Sequence, residues 1–553
     1  MESPFIHVFD TNYVPTDDEL KQIRQLIIQP SMQRDILDAE ISRLQAQREQ
    51  LNDFVTHHQA LLSPIRRIPP DILQEIFVRC LPAKHNSIMS HREAPLLFGR
   101  VCSYWRNLSR ATPELWASIH ISVPELGHGE NPEDDTVFVW AVSDWLGRSG
   151  ALPLSLSVYE SPLWRPVETG SNIMTCLRSV SSRWKHIDLS IYPFVSPISF
   201  ALSAEQVPLL ESFSIELHKD SSLYVNHPAS PSNHGIFQAP RLRGLSICSS
   251  LLSTDTSVAW SHLTELIIAG KKRQLRIDIA LAALERCKTL ESCTLEFELP
   301  DRSLQIGSNT RNTRVTVPLL KTLAVRGGSN LGPFFDSLDF PMLLRFSFYL
   351  DFKGTAGSPF DCPQLYTFLG RSSTLDTLSL SALSFPRESL ISCITGTPNI
   401  SKLYLHGLGD QIWVEAIAQG ISGIYYYLLD DQILSLLTPT SMKNALCPAL
   451  KLIECDASLI SDDVLLNFIQ SRTILSSTYN IPRLKHVVFK LHGRKGDEAF
   501  SVPPEVLSGG SEVKVSYFIP DPPSPRTRYP RRGIFPEKDS RPRLTTPFGR
   551  CIS

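Results

Sequence analysis

The sequence has no uninterrupted apolar run of about eighteen residues, so a membrane-spanning helix is not expected. Its first residues, MESPFIHVFDTN, have neither a basic flank nor an apolar stretch of signal-peptide length; an intracellular chain, cytoplasmic or nuclear, is expected. No charge of one sign predominates. The formal net charge is -2 and the isoelectric point is near 6.7, which leaves no electrostatic case for a nucleic-acid partner. The 11 cysteines include no CxxC pair and are scattered, several in apolar runs, which favours reduced core thiols over disulfides or a zinc site. The GxSxG, GxxxxGK[ST], HExxH and GxGxxG patterns are all missing, so no catalytic residue, cofactor or metal is expected. The neighbouring His57 and His58 have no matching ligand residues nearby and read as ordinary helix positions.

What remains is a folded chain of 553 residues, 42% hydrophobic and 20% charged, long enough for several domains or one extended repeat array. After a leader at 1–31, Leu37, Ile41, Leu44, Arg48, Leu51, Val55, His58 and Leu62 alternate intervals of four and three, the heptad seam of a helix over 32–63. Two readings of that seam stay open: a coiled-coil dimer, or a helix packed on the chain itself.

The next stretch, Pro64 to Trp116, holds the clearest local signal. Leu73, Ile76, Phe77 and Cys80 recur at helical spacing behind Pro69 and Pro70, which suit a first turn whose amides lack partners anyway. Pro95 can open a second helix, along which Leu97, Val101, Trp105 and Leu108 recur until Thr112-Pro113 stops it. Three motifs follow in order: I-P-P-D-I-L-x-x-I-F from Ile68, V-C-x-x-W-R from Val101 and T-P-x-L-W from Thr112. On these motifs, residues 64–115 resemble an F-box of the kind found in large fungal protein families. The resemblance implies docking on the Skp linker subunit of a cullin-RING ubiquitin ligase, the SCF assembly. By motif position the linker contacts would be Ile68, Pro69, Leu73, Ile76, Phe77 and Leu81, then Val101, Cys102 and Trp105, with Trp116 in the internal core. The connection AKHNSIMSHRE, after Pro82, departs from the short, often acidic link of the family.

From Trp116 the chain repeats an apolar triplet in which the second and third members stand three and five places after the first. Examples are Trp116/Ile119/Ile121, Ala151/Leu154/Leu156, Leu263/Leu266/Ile268, Leu375/Leu378/Leu380 and Leu484/Val487/Phe489, with Ile421/Ile424/Tyr426 a weaker case. Residues two apart share one face of a strand, and the intervals, averaging roughly 28 residues, fall in the leucine-rich-repeat range. Pro208, Pro240, Pro318, Pro341, Pro398, Pro448 and Pro482 each stand two places before a triplet. Segments such as IDIALAALERCKT and DDVLLNFIQSR between triplets carry the helical period. The expected fold is therefore α/β: an N-terminal helix and a small helical F-box, then an irregular leucine-rich-repeat-like solenoid over 116–519 with parallel strands and backing helices. This region is similar to the repeats that commonly follow fungal F-boxes, without the asparagine that usually follows each strand.

Strand alternation assigns a candidate face for a target protein: Glu216, Arg326, Tyr349, Tyr404, His406, Tyr425, Tyr427, Glu454, Asp456 and Lys490. Aromatic and charged groups there suit protein recognition. Ser222 to Phe237 reads as an inserted loop, and the proline-rich basic tail at 520–553, which contains Lys538, reads as disordered. The expected function is a substrate-receptor subunit that binds the Skp linker through the F-box and an unknown target through the repeats. The rival is a non-catalytic interaction scaffold that does not sustain ubiquitination.

Overall fold

The computed structural model describes residues 3–123, 133–160, 168–191, 202–217, 235–253, 256–269, 275–297, 314–327, 331–350, 362–381, 385–406, 429–439, 446–479, 481–491 and 511–517. The weak triplet at Ile421, the candidates Tyr425 and Tyr427, most of the inserted loop and the basic tail lie outside them. The chain forms two compact units, Met1–Ile76 and Phe77–Ser553.

In the first unit one helix dominates. α1 spans Asp17–Leu62, 46 residues or about 69 Å, and buries none of its residues. It starts fifteen residues earlier than the heptad seam indicates. Glu19 explains the start, because its carboxylate accepts the amide and the hydroxyl of Thr16, each at 2.8 Å, and so fixes the first turn. Pro30 lies inside the helix and removes one backbone bond without ending it. The second helix, α2, spans Pro70–Arg79, matching the docking stripe read from the sequence, and the division between the two units falls within it.

In the second unit the strands are β1 (Ser118–Val123), β2 (Leu154–Glu160), β3 (Trp184–Ile191), β4 (Ser212–Leu217), β5 (Gly244–Cys248), β6 (Glu265–Ala269), β7 (Ser292–Glu296), β8 (Val315–Thr316) and β9 (Thr322–Gly327). They continue as β10 (Leu338–Asp339), β11 (Arg345–Leu350), β12 (Thr377–Ser381), β13 (Lys402–His406), β14 (Leu429–Asp430), β15 (Leu452–Leu459), β16 (His486–Leu491) and β17 (Glu512–Tyr517). All but β8 and β10 join one 15-stranded parallel sheet in which the strands follow each other in chain order; β14 pairs with β15 off the main path, and β8 with β10 separately.

One row of apolar side chains fixes the register. Ile119 pairs with Leu156, which pairs with Ile187, and so on through Phe213, Leu245, Leu266, Cys293, Leu323, Phe346, Leu378, Leu403, Ile453, Val487 and Val513; the register shift along this path falls at the start of β2, between Leu154 and Ser155, ahead of the row. A one-residue slip anywhere would turn that strand's apolar residues to the other face, so burial of one face enforces the alignment. The row also corrects the second triplet by two residues. Leu156 and Val158 occupy the aligned positions, whereas Ala151 is exposed.

The prolines work at the turn before the strand. Leu210, Leu242, Leu320, Leu343, Ile400 and Leu450 each donate to the carbonyl three residues back, with Pro208, Pro240, Pro318, Pro341, Pro398 and Pro448 at the second turn position. That position needs the φ that proline already has. At Pro482 the arrangement differs, and Leu484 donates to Arg472 at 2.9 Å. A second ladder runs along the strand starts, where one carbonyl serves two amides of the next strand. Glu291, for example, accepts from Lys321 at 2.9 Å and Thr322 at 3.0 Å, and Lys321 accepts from Leu344 and Arg345.

α4 returns the chain from β1 to β2 and spans Glu133–Arg148; α5 (Glu168–Arg178) lies between β2 and β3, after α3 (Ser103–Arg110) of the preceding segment. Between β3 and β6 the described residues of the returns form 3-10 turns, and the later returns include helices at Ile277–Arg286, Gly332–Asp336, Pro363–Arg371, Arg387–Thr395, Asp431–Leu437 and Asp462–Thr473. Phe335 anchors the middle of the core, its ring 5.8 Å from those of Phe348 and Phe368 and 6.3 Å from that of Phe346.

Candidate functional site: two recognition faces

Among the candidate linker contacts in the first unit, Ile68 is half-buried and Pro69 exposed, while Leu73 is fully buried and Ile76 is 40% exposed. Ile72, which was not among the candidates, is 52% exposed. Residues four places apart lie on one line of an α-helix whereas consecutive residues are turned by about 100°, so Ile72 and Ile76 share a line that Leu73 does not. Leu73 is buried, and the line of Ile72 and Ile76 is the exposed one.

In the second unit Phe77 is fully buried. Its ring stacks on Phe98 with centroids 4.1 Å apart and meets Trp105 edge-on at 4.9 Å. The expected single helix after Pro95 is instead a 3-10 turn, Leu96–Arg100, followed by α3. Cys102 separates them and caps α3, its sulfur accepting the amide of Trp105 at 3.5 Å. Arg106 Nε reaches back to the carbonyl of Gly99 at 2.7 Å and fixes the angle between the two pieces. Phe98 and half-buried Trp105 thus build the core, and Leu97, Val101 and Tyr104 are left exposed, Val101 at 54%. Leu81 is half-buried and Cys102 exposed.

The departing connection has a structural task. Ile88 forms a parallel bridge with His120 of β1, and the amide of His120 donates to Ser87 at 2.7 Å. Asn86 Nδ2 donates to Ser157 Oγ at 3.1 Å, while its Oδ1 accepts from Ser155 Oγ at 2.8 Å and Ser118 Oγ at 3.3 Å. The segment therefore covers the otherwise open edge of the sheet. Trp116 completes the junction: its Nε1 donates to Ser109 at 2.8 Å, its ring meets Trp145 at 4.8 Å, and Arg148 lies 4.5 Å above it.

The second face lies on the sheet side opposite the apolar row. Arg326 and Tyr349 are register neighbours on β9 and β11, and Arg326 also stands beside Glu296 of β7, 3.9 Å from its carboxylate. Tyr349 Oη lies 3.4 Å from Ser379 Oγ on β12. Tyr404 and Glu454 are register neighbours on β13 and β15. Burial, then the nearby carboxylates of Glu454 and Asp376, push the Tyr404 phenol up and keep it a neutral donor. His406 pairs with Ser381, and Asp456 with Lys490, in strand register. Glu216 is four strands from Arg326 along the sheet, roughly 19 Å at 4.8 Å per strand, and does not join this cluster. Glu296 and Ser379 were missed, although Glu296 holds the same strand position as Arg326 and Tyr349, and the alternation that selected those two selects it as well.

Among the described residues no group of His, Cys, Asp and Glu is arranged to hold a metal ion, and no helix is long and apolar enough to cross a membrane. Compared with known proteins, the chain matches no family model and no curated protein.

Proposed function

We propose that this chain is a non-catalytic substrate receptor: its F-box-like segment docks on the Skp linker of a cullin-RING ligase, and its strands stack as an irregular leucine-rich-repeat-like solenoid that captures a target protein. The observation that carries the reading is the exposure of Leu97, Val101 and Tyr104 around the Phe77–Phe98–Trp105 core, within the segment whose motifs resemble an F-box. Large apolar side chains held out by a rigid aromatic core suit a protein interface. Ile72 and Ile76 on α2 supply the same chemistry. The parallel pairing of the strands in chain order supports the solenoid, and the half-buried Glu296, Arg326, Tyr349, Tyr404 and Glu454 are the target-binding candidates it favours. In this reading the receptor contributes proximity: residues 77–116 are fixed to β1 through Asn86 and Trp116, so a captured protein is held at a set geometry.

The test is co-purification of the full chain with a recombinant Skp linker. Ile76→Asp combined with Val101→Asp, both at exposed positions, should leave the fold intact and lower linker recovery at least roughly tenfold. Equal recovery with both proteins would sink the docking assignment. Ubiquitination of captured partners that persists unchanged in the variant would favour the scaffold.

A further inference from the structure

Within the first unit, α1 leaves its apolar seam over residues 37–62 without a cover. In α1 no residue is buried, and Leu37, Leu44 and Leu51 are between 50% and 62% exposed. Counting heptads from the four-three spacing puts Ile41, Arg48, Val55 and Leu62 at a positions and Leu37, Leu44, Leu51 and His58 at d positions. The same frame runs back to Ile27 and Arg34 at a, with Pro30 at d marking where a continuous seam begins.

We infer that α1 is the dimerisation element of this protein and that its occupant is α1 of a second copy, wound parallel and in register over residues 37–62. The residue choice points to that occupant. β-branched Ile41 and Val55 at a with leucine at d is the combination that favours two parallel strands, and a polar residue at an a position restricts register and strand number at a cost in stability. Arg48 is that residue, at the middle of the seam. The area is adequate: six apolar seam positions per helix, at roughly 60–120 Å² each, remove about 700–1,400 Å² across the pair. Phe54 and Leu61 at the flanking g positions add to this and bring it into the range of about 1,200–2,000 Å² found for stable interfaces. The intrahelical Arg43–Glu40 pair lies off the seam and is compatible with the pairing.

Sedimentation or light scattering on the full chain tests this. A dimer is expected at about 50 µM, a concentration well above the Kd of a stable pair. Leu44→Glu with Leu51→Glu should give a monomer that keeps the melting transition of the sheet. Arg48→Ile should lower the dimer Kd by roughly tenfold or more without changing the number of strands. Leu51→Cys, in a background with Cys80→Ser and Cys102→Ser, should oxidise to a covalent dimer, as parallel in-register chains require. A wild-type monomer with intact helical circular dichroism, or a dimer indifferent to the glutamates, overturns the proposal. Failure of Leu51→Cys to cross-link in a demonstrated dimer overturns the parallel arrangement.

Discussion

The guanidinium of Arg472 donates to the carbonyl of Cys447 at 2.9 Å and holds in place a non-glycine residue with φ of +48°. That conformation is costly for a residue with a Cβ and persists only where its surroundings impose it. The same carbonyl accepts the amide of Leu450 and so closes the Pro448 turn that starts β15. Arg472 also donates to Leu437 through Nε and Nη2 and to Leu446 through Nη2, which makes it the tie between two consecutive returns of the chain.

Arg472→Leu should therefore be among the most destabilising single changes. It leaves buried carbonyls without donors and should lower unfolding stability by about 3–5 kcal/mol, read from urea denaturation. Arg472→Lys should recover little, because an ammonium lacks the planar fork that reaches three carbonyls at once. Burial pulls the Arg472 guanidinium down to about 10, still far above neutral pH, so it stays charged and the effect should be flat between pH 6 and 8.

Asn86 is the milder way to loosen the junction between residues 77–116 and the sheet. Asn86→Ala removes three side-chain hydrogen bonds from a half-buried site and should cost roughly 1–3 kcal/mol. Hydrogen exchange should locate the loss: the amide of His120, which bonds Ser87, should lose protection well before the amides of β6 and β7.

Thiol chemistry should separate the cysteines sharply. Cys80 and Cys102 are exposed and should react with a thiol reagent in the native state, whereas burial pushes the thiols of Cys287 and Cys447 up to about 12. Cys248, Cys293, Cys362, Cys393 and Cys455 are buried as well, and labelling of all seven should follow global unfolding. Mass spectrometry after a labelling pulse reads this directly.

His186 on β3 supplies a pH dependence. Burial, and then Lys185, hold its imidazole below the usual histidine value, with Glu211 opposing. The unfolded state binds the proton more readily than the folded state, so stability is full above the ordinary value near 6.5 and falls as pH drops through the depressed folded value. Thermal denaturation between pH 7.5 and 5 should show a decline that His186→Gln reduces.

The sheet was legible because its signal is local. An apolar triplet such as Leu263/Leu266/Ile268 places two side chains on one face whatever lies between repeats, and those residues are buried in strand register as the spacing implies. The phase slipped at β2 because LSLSV offers alternating apolar positions twice, and Leu154 is as buried as Leu156. β17 escaped because Gly510 stands where the triplet should open, leaving only Val513 and Val515. The apolar spacing from Leu73 to Cys80 marks the helix at Pro70–Arg79 but not that Leu73 and Phe77 are buried, since spacing gives the period of a stripe and not which of its lines faces solvent. On the second face, the approach of Tyr404 to Glu454 joins residues 50 apart across a pairing that no local pattern encodes.

The doubled ladder at the strand starts has a bearing on how such a chain can change over generations. Each rung ties a strand only to its predecessor, whether the intervening loop is short, as between β5 and β6, or long, as between β13 and β15. A strand with its return can be gained or lost and the remaining rungs re-form with the neighbour, moving every later side chain by one step of about 4.8 Å along the sheet. The spacing of side chains is kept under such events while their order is not, so the exposed sheet face can change by the number of strands as well as by substitution.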